Sequence, residues 1–88
     1  MITFNDLLFK DHFHMINAHH VFDNDWEISV SAGSGNYCTP REDLGQPELF
    51  SSFEIAIFNP KGDFATGEVL QINDDVAGWQ GREDINNI

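Results

Sequence analysis

Positive charge is what this sequence has least of. Fifteen acidic residues face only Lys10, Arg41, Lys61 and Arg82, and the formal net charge is −11. Such a surface repels DNA, RNA and anionic membranes, which excludes a direct nucleic-acid or membrane binder and favours a partner with a basic surface. Cysteine is almost absent as well. Cys38 stands alone, so no internal disulfide can form, and the chain suits a reducing compartment. The segment "MITFNDLLFKDH" carries no basic stretch ahead of an apolar run, so no signal peptide is expected. No run reaches the roughly 18 apolar residues of a membrane span. No Asn-x-Ser/Thr glycosylation sequon occurs. Together these absences point to a cytoplasmic protein.

What the chain does hold is enough apolar mass for one core. Of its 88 residues, 41% are hydrophobic, with eight Phe and two Trp. Residues 1–88 therefore read as a single domain. A domain this short buries only roughly 60–65% of its unfolded surface, and aromatics give the most burial per residue. That aromatic content separates it from disordered chains. There is no internal repeat, low-complexity segment or linker.

Periodicity then assigns elements. Thr3 can cap a helix that runs through "FNDLLFKDHFHMI", with Phe4, Leu7, Leu8 and Met15 near one stripe and Phe9, Phe13 and Ile16 beside it. "DWEISVS" alternates: Trp26, Ile28 and Val30 on one face, Asp25, Glu27 and Ser29 on the other. Gly33-Ser34-Gly35 ends that strand in a turn. "NYCT" reads as a short return strand and "REDLGQPELFSS" as a loop. "FEIAIF" is the clearest strand, with Phe53, Ile55 and Ile57 opposite Glu54 and Ala56. "NPKGD" is a turn, and "FATGEVL" reads as its returning hairpin partner, with Gly67 at a bulge. "QINDD" is a loop, "VAGWQ" a short strand, and "GREDINNI" the start of a helix with Ile85 and Ile88 facing inward. The expected class is α+β: an antiparallel sheet of about four to five strands, an N-terminal helix packed on one face, and a short C-terminal helix.

Charge on that sheet is the first functional reading. Glu27, Glu54 and Glu68 are expected on strand faces opposite the apolar ones, forming part of an acidic plate. Asp74 and Asp75 add charge near the C-terminus. The acids are dispersed and form no tail. Trp79, flanked by glycines, is an apolar anchor for a partner.

The histidines are the second reading. All four lie in "HFHMINAHH". On a helix His12 and His14 stand about 200° apart, and His12 lies roughly 10–12 Å along the axis from His19 or His20, too far for one ion. A zinc site would need the chain to fold back, with His12, His14, His19 or His20 joined by Asp23. No His-Glu-x-x-His pair supports this. "DNDWEIS" opens like a calcium loop but has Ile28 where glycine is required and Ser34 where glutamate is required. Cys38 lacks a local oxyanion motif and reads as a buried structural thiol. "GSGNY" and "GWQG" are turns, because no Lys-Ser/Thr follows to bind phosphate. No catalytic residue and no cofactor is expected.

The segments "GNYCTPREDL", "FSSFEIAIF", "GDFATGEV" and "DDVAGWQGREDINNI" resemble a pattern of small proteins from phages and other mobile elements. There a Tyr-Cys/Ser-x-Pro-Arg turn precedes a Phe/Val-Glu-Ile/Val-Ala strand, and an Asp-Asp-Val-x-Gly-aromatic segment leads into a short acidic helix. The likeness covers about Trp26 to Ile88 and brings no catalytic residues. In size and acidity the chain is also similar to anti-CRISPR and anti-restriction inhibitors, several of which present carboxylates where a nuclease expects phosphates. The resemblance implies a non-enzymatic inhibitor or adaptor in the host-cell cytoplasm that occupies the basic groove of a nucleic-acid-binding protein; edge strands and an exposed aromatic are compatible with a homodimer as well as a monomer. The site residues would be Glu27, Glu54, Glu68, Asp74, Asp75 and Trp79. The alternative is a histidine-based metal-binding module or small metalloenzyme.

Overall fold

A computed structural model describes residues 4–12 and 15–86. The cap expected at Thr3, the apolar position Phe13, the ligand candidate His14 and the inward-facing Ile88 lie outside the described residues, as does the side chain of His12.

The backbone forms a five-stranded antiparallel meander in the order β1-β2-β3-β4-β5. The strands are β1 (Lys10–His12), β2 (Met15–Val21), β3 (Glu27–Gly33), β4 (Phe53–Phe58) and β5 (Ala77–Gln80). Two short helices accompany them, α1 (Thr66–Leu70) and α2 (Arg82–Asn86). Among the described residues no helix is long and apolar enough to cross a membrane.

The expected N-terminal helix is not there. A 3-10 turn at Phe4–Asp6 precedes β1 and β2. The apolar spacing that fits a helical stripe is used otherwise: Phe4 and Leu7 fold onto the sheet, and Ile16 and Ala18 alternate with Asn17 along β2. "NYCT" makes only an isolated bridge, Thr39 to Ser52. "FATGEVL" also departs from expectation. Phe64 bridges Phe58, but from Thr66 the chain turns helical instead of continuing the hairpin.

Register explains the core. Ile16, Ala18, Ile28, Val30, Ile55 and Ile57 fall on one sheet face, because Ile16 pairs with Ala32, Val30 with Ile55 and Ile28 with Ile57. Phe53, fully buried at the end of that row, meets Phe4, Phe9 and Phe50 at ring-centroid distances of 4.9, 5.8 and 6.1 Å. The Arg82 guanidinium covers this cluster, 4.9 Å from the Phe4 ring and 5.3 Å from Phe53, and donates to the Pro47 carbonyl at 2.9 Å. The Phe4 amide donates to Asn86 Oδ1 at 2.5 Å, which ties α2 to the N-terminal turn. Trp26 packs against the core from its margin.

The β2–β3 hairpin closes through Asp23, Asn24 and Asp25. Phe22 N–H donates to the Trp26 carbonyl at 2.7 Å and Asp25 N–H to the Phe22 carbonyl at 2.9 Å. Asp25 supplies the left-handed position at φ 69°, a conformation aspartate tolerates better than most residues. The "DND" that begins like a calcium loop is thus a hairpin turn.

Both sheet edges are protected against pairing with another chain. β1 spans three residues, two of them Lys10 and Asp11. On β5 the Trp79 N–H is already used, donating to the Tyr37 carbonyl at 2.8 Å.

Candidate functional site

The acidic residues chosen from the sequence separate into two places. Glu27 and Glu54 do share the sheet face opposite the core, as their alternation requires. Glu27 lies opposite Phe58 and Glu54 opposite Ser31. The two carboxylates therefore sit four residues apart along the ladder, roughly 13 Å. Each is held. Glu27 Oε2 is 2.6 Å from His19 Nδ1, and Glu54 Oε2 accepts from Asn36 Nδ2 at 2.7 Å. Between them the face is neutral: Asn17 Nδ2 donates to the hydroxyls of Ser29 and Ser31 at 2.9 and 2.7 Å. Lys10 pairs with Asn17, so the row Lys10, Asn17, Ser31, Glu54 crosses adjacent strands with one cation in it. This is a mixed polar face, not a uniform acidic plate.

Glu68 is not on the sheet. It lies in the first turn of α1 and faces a groove of about 380 Å³ between that helix and the loop that follows. Asp74 and Asp75 line the same groove, with the exposed Phe64 and Ile72. Two local devices shape it. Gln71 takes a left-handed conformation at φ 58° and ends α1, its N–H bonding the Gly67 carbonyl. The loop then folds back so tightly that a Cβ on Gly67 would meet the Ile72 carbonyl oxygen at 2.8 Å. Gly67 is therefore required by a close backbone approach, not by a strand bulge. Three of the five acids selected from the sequence converge here, and no basic residue lines the groove.

Trp79 is exposed, as an anchor must be, and sits beside Tyr37. Tyr37 escaped sequence reading. Its only signal was a position just before the lone cysteine in a glycine-rich turn.

Of the histidines, only the side chains of His19 and His20 lie among the described residues, and these two do not come together. Successive strand residues point to opposite faces, so His19 and His20 diverge. His19 pairs with Glu27, while the His20 ring packs edge-on against Phe22 at 4.7 Å. Asp23 stands in the hairpin turn. Among the described residues no group of three His, Cys, Asp or Glu side chains is placed to hold a metal ion. The Glu27–His19 pair lies beside Ser29, the cross-strand neighbour of His19, and Ser29 Oγ is engaged by Asn17.

Cys38 is buried, with Sγ 3.3 Å from the carbonyls of Gly33 and Pro40 and accepting the Gly33 N–H at 3.4 Å. Burial pushes its thiol pKa up, against the lowering effect of the Gly33 hydrogen bond; Glu54 raises it further and Arg41 lowers it. The folded thiol stays protonated while the unfolded one ionises above its ordinary 9.0. The unfolded state therefore binds fewer protons at high pH, and stability falls as pH rises past that value. Urea midpoints between about pH 8 and about pH 10 should drop more for the wild type than for Cys38→Ala. Parallel pH curves would show the thiol makes no contribution.

Comparison of the chain with protein families, with curated proteins and with solved structures finds no match.

Proposed function

We propose that this chain is a small non-enzymatic protein that binds a basic surface of a partner protein. The observation that supports this reading is the convergence of Glu68, Asp74 and Asp75 around an uncharged floor of Phe64 and Ile72, on a chain of net charge −11. A cationic segment with one or two apolar side chains complements such a groove in sign and polarity. Glu27 and Glu54 add long-range attraction from the sheet face, and Trp79 adds apolar contact elsewhere. The likeness to proteins of mobile elements favours one kind of partner, a nucleic-acid-binding nuclease complex such as a CRISPR or restriction enzyme. In that setting the carboxylates stand where phosphates would, and binding of the chain displaces nucleic acid.

The test uses a nona-arginine peptide as the cationic probe, titrated by calorimetry. Affinity should fall steeply between low and high salt, because exposed charges are screened within roughly 10 Å at 0.1 M. The triple variant Glu68→Gln, Asp74→Asn, Asp75→Asn should bind at least about tenfold more weakly, since each lost contact is worth up to about 1 kcal/mol. Binding that survives at high salt, or that ignores the triple neutralisation, would remove the groove from the reading.

A further inference from the structure

The connection between β3 and β4 crosses the outer edge of β5 and leaves two large rings in water. Tyr37 is 45% exposed and Trp79 is 57% exposed. Their centroids lie 5.3 Å apart with planes inclined at 34°. This is not loose packing. Trp79 N–H donates to the Tyr37 carbonyl at 2.8 Å. Gly78 lies so close beneath Tyr37 that a Cβ there would come within 2.6 Å of the Tyr37 Cβ. Trp79 itself sits at φ 53°, a left-handed conformation that is rare for a bulky residue. Glycine or asparagine would occupy that position with less strain. A backbone outlier that holds an apolar ring in solvent does nothing for the core, and such outliers concentrate at functional positions.

The chemistry of the corner indicates what the rings receive. The Arg41 guanidinium already stands 5.3 Å from the Tyr37 centroid, so one ring accepts a guanidinium of its own chain. Trp79, the stronger cation–π acceptor by type, has no cation over it among the described contacts. Asn36, next to Tyr37 in sequence, donates to the Glu54 carboxylate at 2.7 Å. A planar, weakly hydrated guanidinium stacks on such rings better than an ammonium does.

We propose that Tyr37 and Trp79 form a receiving platform for an arginine side chain of the protein partner. The inference rests on the reading that the partner is basic, and it deepens that reading by naming a second contact whose residues are not among those lining the α1 groove.

The test compares nona-arginine with nona-lysine on the intact chain. Calorimetry gives affinity, and the indole N–H resonances of Trp26 and Trp79 give position, the latter assigned by its loss in Trp79→Asn. Asparagine tolerates the left-handed backbone, so this variant should melt no lower than the wild type. Nona-arginine should shift the Trp79 indole signal and leave that of Trp26 in place. Trp79→Asn should weaken nona-arginine about fivefold to thirtyfold and nona-lysine less. Equal affinity in Trp79→Asn and an unmoved indole signal would overturn the platform, while salt-dependent binding lost in the groove variant would leave the broader reading intact. Failure of the wild type to bind either peptide would overturn both.

Discussion

Phe53→Ala should cost about 3–5 kcal/mol of folding stability, a large part of the total for so short a domain. Phe53 is 0% exposed and is the ring on which Phe4, Phe9 and Phe50 meet. Removing it leaves a void that three other rings line, and it also takes one of the two faces on which Arg82 rests. The neighbours cannot collapse freely. Phe4 is fixed by its bond to Asn86, and Arg82 by its bond to Pro47. Chemical denaturation followed by circular dichroism should show much of the Ala variant unfolded without denaturant. Phe53→Leu, which keeps most of the volume, should lose less than about 2 kcal/mol. A loss under about 1 kcal/mol for the alanine would mean the cluster is not the keystone of the core.

Thr66→Val should cost about 1–3 kcal/mol although it hardly changes shape. The Thr66 side chain is 0% exposed, and its hydroxyl accepts the Ile57 N–H at 2.7 Å. The pairing of β4 with β5 runs only from Phe53 to Ile55. Beyond it Ile57 has no strand neighbour on that side, and the hydroxyl takes over, together with the Ala65 N–H that reaches the Ile57 carbonyl at 2.7 Å. Valine would leave a buried amide without an acceptor. Hydrogen exchange at Ile57 should accelerate in Thr66→Val and stay slow in Thr66→Ser. Because Thr66 begins α1, the valine variant should also loosen Glu68 and weaken binding of the cationic probe. Unchanged exchange at Ile57 would show that another acceptor serves it.

The same residue shows why part of the molecule was hidden in the sequence. "FATGEVL" carries strand-forming residues after a turn, yet the chain turns helical at Thr66, whose hydroxyl accepts the Ile57 N–H. Glu68 therefore lies in α1, beside the groove, and not on the sheet. The N-terminal segment misled in the opposite direction. In β2 the signal of alternation is muted, because Asn17 is buried through bonds to serines and His20 occupies a core-facing position. Helical spacing of the phenylalanines then dominated the pattern. By contrast β3, β4 and α2 were readable, since Ile28/Val30 and Ile55/Ile57 alternate plainly and "GRED" places its acids in a first helical turn. The glycines at 78 and 81 left Trp79 open to either a core or an exposed position, and the structure places it in solvent. Tyr37 was not legible, because the contact that brings it to Trp79 links residues 42 positions apart (79 minus 37).

The strand order carries a kinetic corollary. Every rung of the meander joins segments that are consecutive along the chain. The β2–β3 hairpin can therefore zip with little loop-closure penalty, whereas β4 and β5 can add only once the long connections 34–52 and 59–76 close. The aromatic cap is different. Phe4 must wait for Phe53 and then for Arg82 and Asn86, so the turn at Phe4–Asp6 is among the last parts of the fold to settle.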